Sequence, residues 1–228
     1  MKKLALTTLT FVLAALLLAA CSNNEQADVN KDTNNKDKNK TGPVAIVNGK
    51  EISREEFESQ VNGTKKQYEE MGMNLDGQED TMKESIAEQM IRLELLKQEA
   101  EKKGYEVSED ELNKRYEEFI SQFESDDAKD KAFKDSNLDE EKVKEELNKS
   151  LLINKYVDEN TEEVKLTEKE LKKEYETMKD QRGDGQKMPG YEKIKDDIKR
   201  QVINRKENDQ LLDLVDQLKK DADIKRNI

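Results

Sequence analysis

Apolar positions recur at helical spacing along most of this 228-residue chain. Met82, Ile86, Met90, Leu93 and Leu96 form one stripe, Tyr116, Phe119 and Phe123 a second, and Val143, Leu147, Leu151 and Tyr156 a third. Tyr191, Ile194, Ile198, Val202, Leu212, Val215 and Leu218 trace a fourth. It predicts a helix running to about residue 220, roughly 45 Å long at 1.5 Å per residue. Such stripes are buried faces, and the Glu/Lys faces opposite them are solvated surface. Four capping boxes mark helix starts: Ser53 with Glu56, Thr81 with Glu84, Ser108 with Glu111 and Thr167 with Glu170. Only at Val44-Ala45-Ile46-Val47 and Lys50-Glu51-Ile52 does the pattern turn to β. These runs flank Asn48-Gly49, a pair suited to a two-residue hairpin turn with positive φ. The expected fold is mainly α, with a short N-terminal β-hairpin.

Ahead of the hairpin the pattern differs. Lys2 and Lys3 give a basic start, and an apolar run then ends on Leu18-Ala19-Ala20-Cys21. Residues 1–20 read as an export signal, too short and wrongly flanked for a settled membrane span. Cys21 is the single cysteine, so no disulfide can form within one molecule. Leu-Ala-Ala-Cys resembles the lipobox of bacterial lipoproteins, which implies cleavage before Cys21 and lipidation of its thiol. Two or three acyl chains anchor stably, because each buried CH₂ contributes about 0.8 kcal/mol. Residues 21–43 are nearly devoid of apolar side chains and are expected to be a disordered tether spanning roughly 25 Å. The expected location is the bacterial cell envelope, on the extracytoplasmic face of a membrane, with the folded domain over 44–228.

Composition narrows the chemistry. The net charge is −12, and removing a leader with two lysines takes it to −14. Nucleic acid is a poor partner for such a chain, since its binding rests on Lys and Arg neutralising phosphates. Apolar residues make up 33% of the chain, below the usual range of about 45–50%, so a thick core is not expected. There is no histidine, which excludes Ser-His-Asp catalysis, histidine metal sites and histidine general bases. Asp76-Gly77-Gln78-Glu79-Asp80 lacks EF-hand spacing and reads as a polar loop. Arg182-Gly183-Asp184 reads as a turn in the helix-poor stretch 179–190. Neither an enzyme activity nor a cofactor or metal is expected.

The stretch Val44-Ala45-Ile46-Val47-Asn48-Gly49-Lys50-Glu51-Ile52-Ser53-Arg54-Glu55-Glu56-Phe57 resembles the opening of SurA-type and PrsA-type chaperones of the bacterial envelope. The likeness continues through Ala87-Glu88-Gln89-Met90-Ile91 with Leu95-Leu96, Val107-Ser108-Glu109-Asp110-Glu111-Leu112, and Leu166-Thr167-Glu168-Lys169-Glu170-Leu171 with Tyr175. It closes on the final helix and Ala222-Asp223-Ile224. The resemblance implies that the terminal strand pairs with the first, so that both chain ends build one helical chaperone domain. It also implies that a parvulin isomerase domain, inserted in full-length relatives near 179–190, is missing here.

The implied function is a membrane-anchored, ATP-independent chaperone holding unfolded exported polypeptides. Client contacts are expected at Met71, Met73, Leu75, Phe119, Phe123 and Phe133, because methionine and aromatic side chains adapt to varied partners. The alternative is a structural or adaptor lipoprotein that docks one specific envelope partner.

Overall fold

The computed structural model describes residues 42–73, 75–136, 138–181 and 188–228. Cys21, the leader, all but the last two residues of the tether and the Arg182-Gly183-Asp184 triplet lie outside them. In chain order the elements are β1 (Ala45–Val47), β2 (Lys50–Ile52), α1 (Arg54–Glu70), α2 (Glu79–Lys102), α3 (Glu109–Ile120), α4 (Asp126–Asp135), α5 (Glu140–Asn160), α6 (Glu168–Gln181), α7 (Tyr191–Lys220) and β3 (Ile224–Arg226). They fall into two compact units. One takes the described residues up to 156 together with 218–228, and the other takes 157–217.

The expected hairpin forms around Asn48 (φ +51°) and Gly49 (φ +84°), both in the left-handed region that a two-residue turn of this hand requires. The C-terminal strand returns to it. β3 pairs antiparallel with β1, placing β1 at the centre of the order β2-β1-β3, with Ile46 opposite Glu51 on one side and Lys225 on the other. Side-chain bonds fasten the two ends. Asn227 donates its backbone N–H to Val44 O (2.8 Å) and its side-chain amide to Pro43 O (3.3 Å). Arg54 donates to both Gly42 O (2.9 Å) and Asn227 O (3.0 Å). Gln98 donates from α2 to Val47 O (3.0 Å) and accepts from the Asn48 amide (2.9 Å).

Val44, Ala45, Val47 and Ile52 pack with Phe57 and Val61 of α1 and with Ile86, Ala87, Met90, Ile91 and Leu95 of α2. The buried face of α2 is wider than the predicted stripe and rotated from it. Ile91 is fully buried while Leu93 is half-buried, and no residue from Met90 to Ala100 is fully exposed. A helix covered on several sides has no single apolar line, so a 3.6-residue stripe marks only part of its contact surface. The same shift occurs on α5, where Leu152 and Ile153 are buried and Leu151 is half-buried.

Two of the expected capping boxes form in full, at Ser108/Glu111 and Thr167/Glu170. Ser53 caps α1 by accepting from Glu56 N (3.3 Å). Thr81 does not cap. The helix has already begun at Glu79, after a turn in which Gln78 N–H bonds Leu75 O (2.9 Å), and Thr81 O accepts from the Ser85 hydroxyl within it. Helix α4 is an element the stripe pattern did not predict. Ser125 caps it (Ala128 N–H to Oγ, 3.2 Å), and it delivers Phe133 into a cluster with Phe119, Val143 and Leu147.

The second unit is thin. Leu171, Ile198 and Val202 are its buried cluster, with Leu166, Tyr175, Met178, Tyr191 and Ile194 half-covering it. Polar ties between α6 and α7 supplement this core. Arg205 grips Glu174 with two bonds (2.8 and 3.0 Å), Lys195 pairs with Glu168 (2.6 Å) and Lys206 with Glu170 (3.0 Å).

Candidate functional site

The end of α1 is set by its cap. Gly72 (φ +67°) ends the helix in the left-handed conformation, with Gly72 N–H bonded to Glu69 O (2.9 Å) and Met73 N–H to Tyr68 O (2.9 Å). This is the paired bonding of a Schellman C-cap, in which the residue at Met73's position commonly folds back onto the helix. Here it does not. Met71 is 54% and Met73 45% exposed, and among the described residues these are the large apolar side chains left in solvent. Leu75 beside them is half-buried.

The three expected aromatic contacts lie elsewhere, on α3, α4 and the turn between them. Phe119 and Phe133 are buried and Phe123 is half-buried. Their rings pack on one another at centroid distances of 5.7, 6.3 and 6.1 Å, with two edge-on pairs and one stacked. The fold thus brings the six expected residues together as two separate groups. In one, Met71 and Met73 are presented to solvent beside a half-buried Leu75, and the other fills a small core with Phe123 at its margin.

The electrostatics of both units centre on carboxylates tied to cations from distant helices. Glu88 on α2, with a side chain only 18% exposed, accepts from Lys219 and Arg226 and from Arg92 (3.2 Å). Burial raises its pKa, but the hydrogen bonds from Lys219, Arg92 and Arg226 outweigh that, and the net shift is downward. Glu111 is lowered to about 2, first by Lys155 (2.7 Å) and then by the backbone and hydroxyl of Ser108. Glu170 is lowered to about 2 by the Thr167 backbone and hydroxyl and by Lys206. Glu207 behaves in the opposite way. Its Oε2 is buried with no hydrogen-bond partner among the described residues, and burial, followed by the charge of Asp158, raises its pKa. Asp158 is raised by burial. Sequence reading did not single out Glu88, since its partners are 131 and 138 residues away and no local pattern announces them.

No group of three or more His, Cys, Asp or Glu side chains among the described residues could hold a metal ion. No helix among them is long and apolar enough to cross a membrane. The SurA-like N-terminal domain family matches residues 2–147. The chain belongs to that family. The family match covers the hairpin, α1 to α4 and the start of α5, which includes the methionine loop and all three phenylalanines of the buried cluster. The chain is also similar to the protein named "Foldase protein PrsA" of Caldanaerobacter subterraneus subsp. tengcongensis. The two are 28% identical over 182 residues, covering 75% of this chain and 51% of that relative. The chain therefore spans about half the length of the curated relative it matches.

Proposed function

We propose that this protein is an ATP-independent chaperone of the bacterial envelope, anchored by lipid on Cys21, that holds unfolded exported polypeptides. Membership in the SurA-like N-terminal domain family is the observation that carries this reading. The name of the PrsA relative supports the same class and an extracytoplasmic setting. Client contact is assigned to Met71, Met73 and Leu75, with Phe123 at the margin of the aromatic cluster and Phe119 and Phe133 supporting it from beneath. Burial of client apolar surface is favourable by about 25 cal/mol per Å², and the acidic helix faces keep a loaded complex soluble.

The chain acts without prolyl isomerase chemistry in this reading. Nine residues separate α6 from α7, at the place where the resemblance puts an isomerase insertion, and the sequence has no histidine. A proline-limited refolding assay should show no acceleration.

The decisive experiment is light scattering by several unrelated unfolding proteins in the presence of residues 23–228. Suppression across the panel is expected. One saturable partner and no general suppression would favour a dedicated adaptor instead. Cys21→Ser should abolish incorporation of a palmitate analogue and release the protein from the membrane fraction, and label retained by the variant would sink the anchor.

A further inference from the structure

The methionine loop has an electrostatic frame. Glu69, Glu70, Asp76, Glu79 and Asp80 lie between positions 67 and 82, a stretch with no Lys or Arg. The bases nearest in sequence flank that stretch. Lys65 pairs with Glu79 (2.8 Å), Lys66 with Glu70 (3.9 Å), and Lys83 adds its charge near Glu79. Residues 65–83 together carry a net charge of −2, within a chain of −12. Two exposed thioether side chains are thus flanked in sequence on both sides by carboxylates, with backbone hydrogen bonds holding Gly72 and Met73 to the end of α1 and Gln78 to Leu75.

We propose that this loop selects its clients by charge as well as by apolarity, binding extended polypeptide segments in which apolar residues are flanked by lysine or arginine. The inference rests on the chaperone reading above and deepens it. Methionine, unbranched and polarizable, moulds to many apolar side chains and gives little sequence preference of its own. The carboxylates around it favour cationic neighbours, raising encounter rates and penalising acidic segments by like-charge repulsion. An anionic lipid surface would be repelled by the same groups, so a membrane is not the occupant. A folded partner with one matching patch would not require the adaptable side chains found here.

The test uses the full chain in vesicles of zwitterionic lipid, with empty vesicles as the blank. Three fluorescent unstructured peptides of equal length and apolar content carry net charges of +4, 0 and −4, and binding is read by anisotropy. The +4 peptide should bind at least tenfold more tightly than the −4 peptide at low salt. Raising ionic strength to where screening falls to a few ångströms should bring the ratio toward one. Met71→Ser with Met73→Ser should weaken all three about fivefold or more without moving the melting curve, since both side chains are exposed. Glu69→Gln, Asp76→Asn and Asp80→Asn together should leave the neutral peptide bound as before and compress the charge ratio. Equal binding of all three peptides by the unaltered chain would overturn the charge selection while leaving the chaperone reading in place. Undiminished binding by the double methionine variant would remove the loop as the contact. Failure to bind any peptide would overturn both this inference and the function on which it rests.

Discussion

The sheet-and-α2 core and the α6–α7 pair solve the same packing problem with opposite means. In the first, strands from both chain ends meet over Ile91, which is fully buried, and the polar tie across them is Glu88, itself largely covered. In the second, two helices close in sequence enclose Leu171, Ile198 and Val202 among the described residues, with half-buried apolar neighbours around them and ion pairs at the surface. Exposed pairs contribute about 0–1 kcal/mol each and weaken with salt, whereas buried apolar area does not. Closure of remote segments needs burial strong enough to offset loop entropy. A local helix pair can form with less. The two units that contain these regions nevertheless share one device, a capping-box glutamate that also takes a lysine from another helix: Glu111 of α3 with Lys155 of α5, and Glu170 of α6 with Lys206 of α7.

The comparison is tested hardest by removing the closing strand. Deleting residues 222–228 eliminates β3, the Asn227 bonds and the Arg226–Glu88 pair, and leaves the hairpin as an isolated two-stranded ribbon, which is marginal on its own. The expected loss is about 3 kcal/mol or more, a fall in melting temperature on the order of 10 °C. Amide exchange should rise over β1 and α2 and stay nearly unchanged over α6 and α7. An unaltered melt would mean that the two ends do not stabilise each other.

Matched truncations sharpen the contrast. Ile91→Ala should cost about 4 kcal/mol, near the top of the range for such deletions, because the residues around it are themselves buried and cannot collapse into the void. Ile198→Ala should cost about 2 kcal/mol, since half-covered neighbours such as Tyr175 and Ile194 can close over the gap. Urea titrations of the two variants check this. Equal losses would show that the α6–α7 core is as tightly packed as the other.

How much of this was legible in the sequence depended on distance along the chain. The Asn48-Gly49 turn, the boxes at Ser108 and Thr167 and the limits of α7 all rest on residues within a few positions of one another, and all are present. Pairing of β3 with β1 came from resemblance, because nothing in Ile224-Lys225-Arg226 alone names its partner. Leu93 and Leu151 were misplaced because periodicity reports the existence of a face but not how many neighbours cover the helix. The exposure of Met71 and Met73 could not be read from an apolar letter, since both lie at the C-cap of α1, past the end of its periodic buried face. Phe119 and Phe133 were drawn inward by α4, whose Ser125 cap was visible but whose apolar content is too low to stand out.

Acidity separates the carboxylates by sign. Glu111 and Glu170 have folded pKa values of about 2, below an unfolded value of about 4.3, so their stabilisation is present above that value and is lost as pH falls toward 2. Asp158 and Glu207 are raised, so the folded state favours their protonated forms. Their penalty is absent below the unfolded pKa and sets in as pH rises through the folded value. Glu207→Gln should therefore stabilise the protein at pH 7 by about 0.5–1 kcal/mol, less than the cost of a fully buried orphan group because Glu207 is partly exposed. The gain, about 2 °C in melting temperature, should shrink as pH is lowered through the carboxylate range. A variant whose advantage persists unchanged at pH 3.5 would show that relief of charge burial is not its cause.

The smallest effect is expected between α6 and α7. Replacing residues 182–187 with a Gly/Ser sequence of equal length keeps the ties described for the helix pair: Tyr175 donates to Pro189 O (3.1 Å), Tyr191 to Glu168 (2.9 Å), and Arg205 and Lys206 bind α6 farther along. Loop closure depends weakly on length, about 0.6 kcal/mol per doubling, and here the length is kept. Added glycine freedom in the unfolded chain costs a few tenths of a kcal/mol per position at most compatible sites, with small compensating changes from the lost side chains. The melting temperature should move by no more than about 2 °C, and suppression of aggregation should be unchanged. If suppression collapses while the melt and the exchange pattern of α6 and α7 are preserved, this stretch touches clients and the binding surface extends beyond the methionine loop.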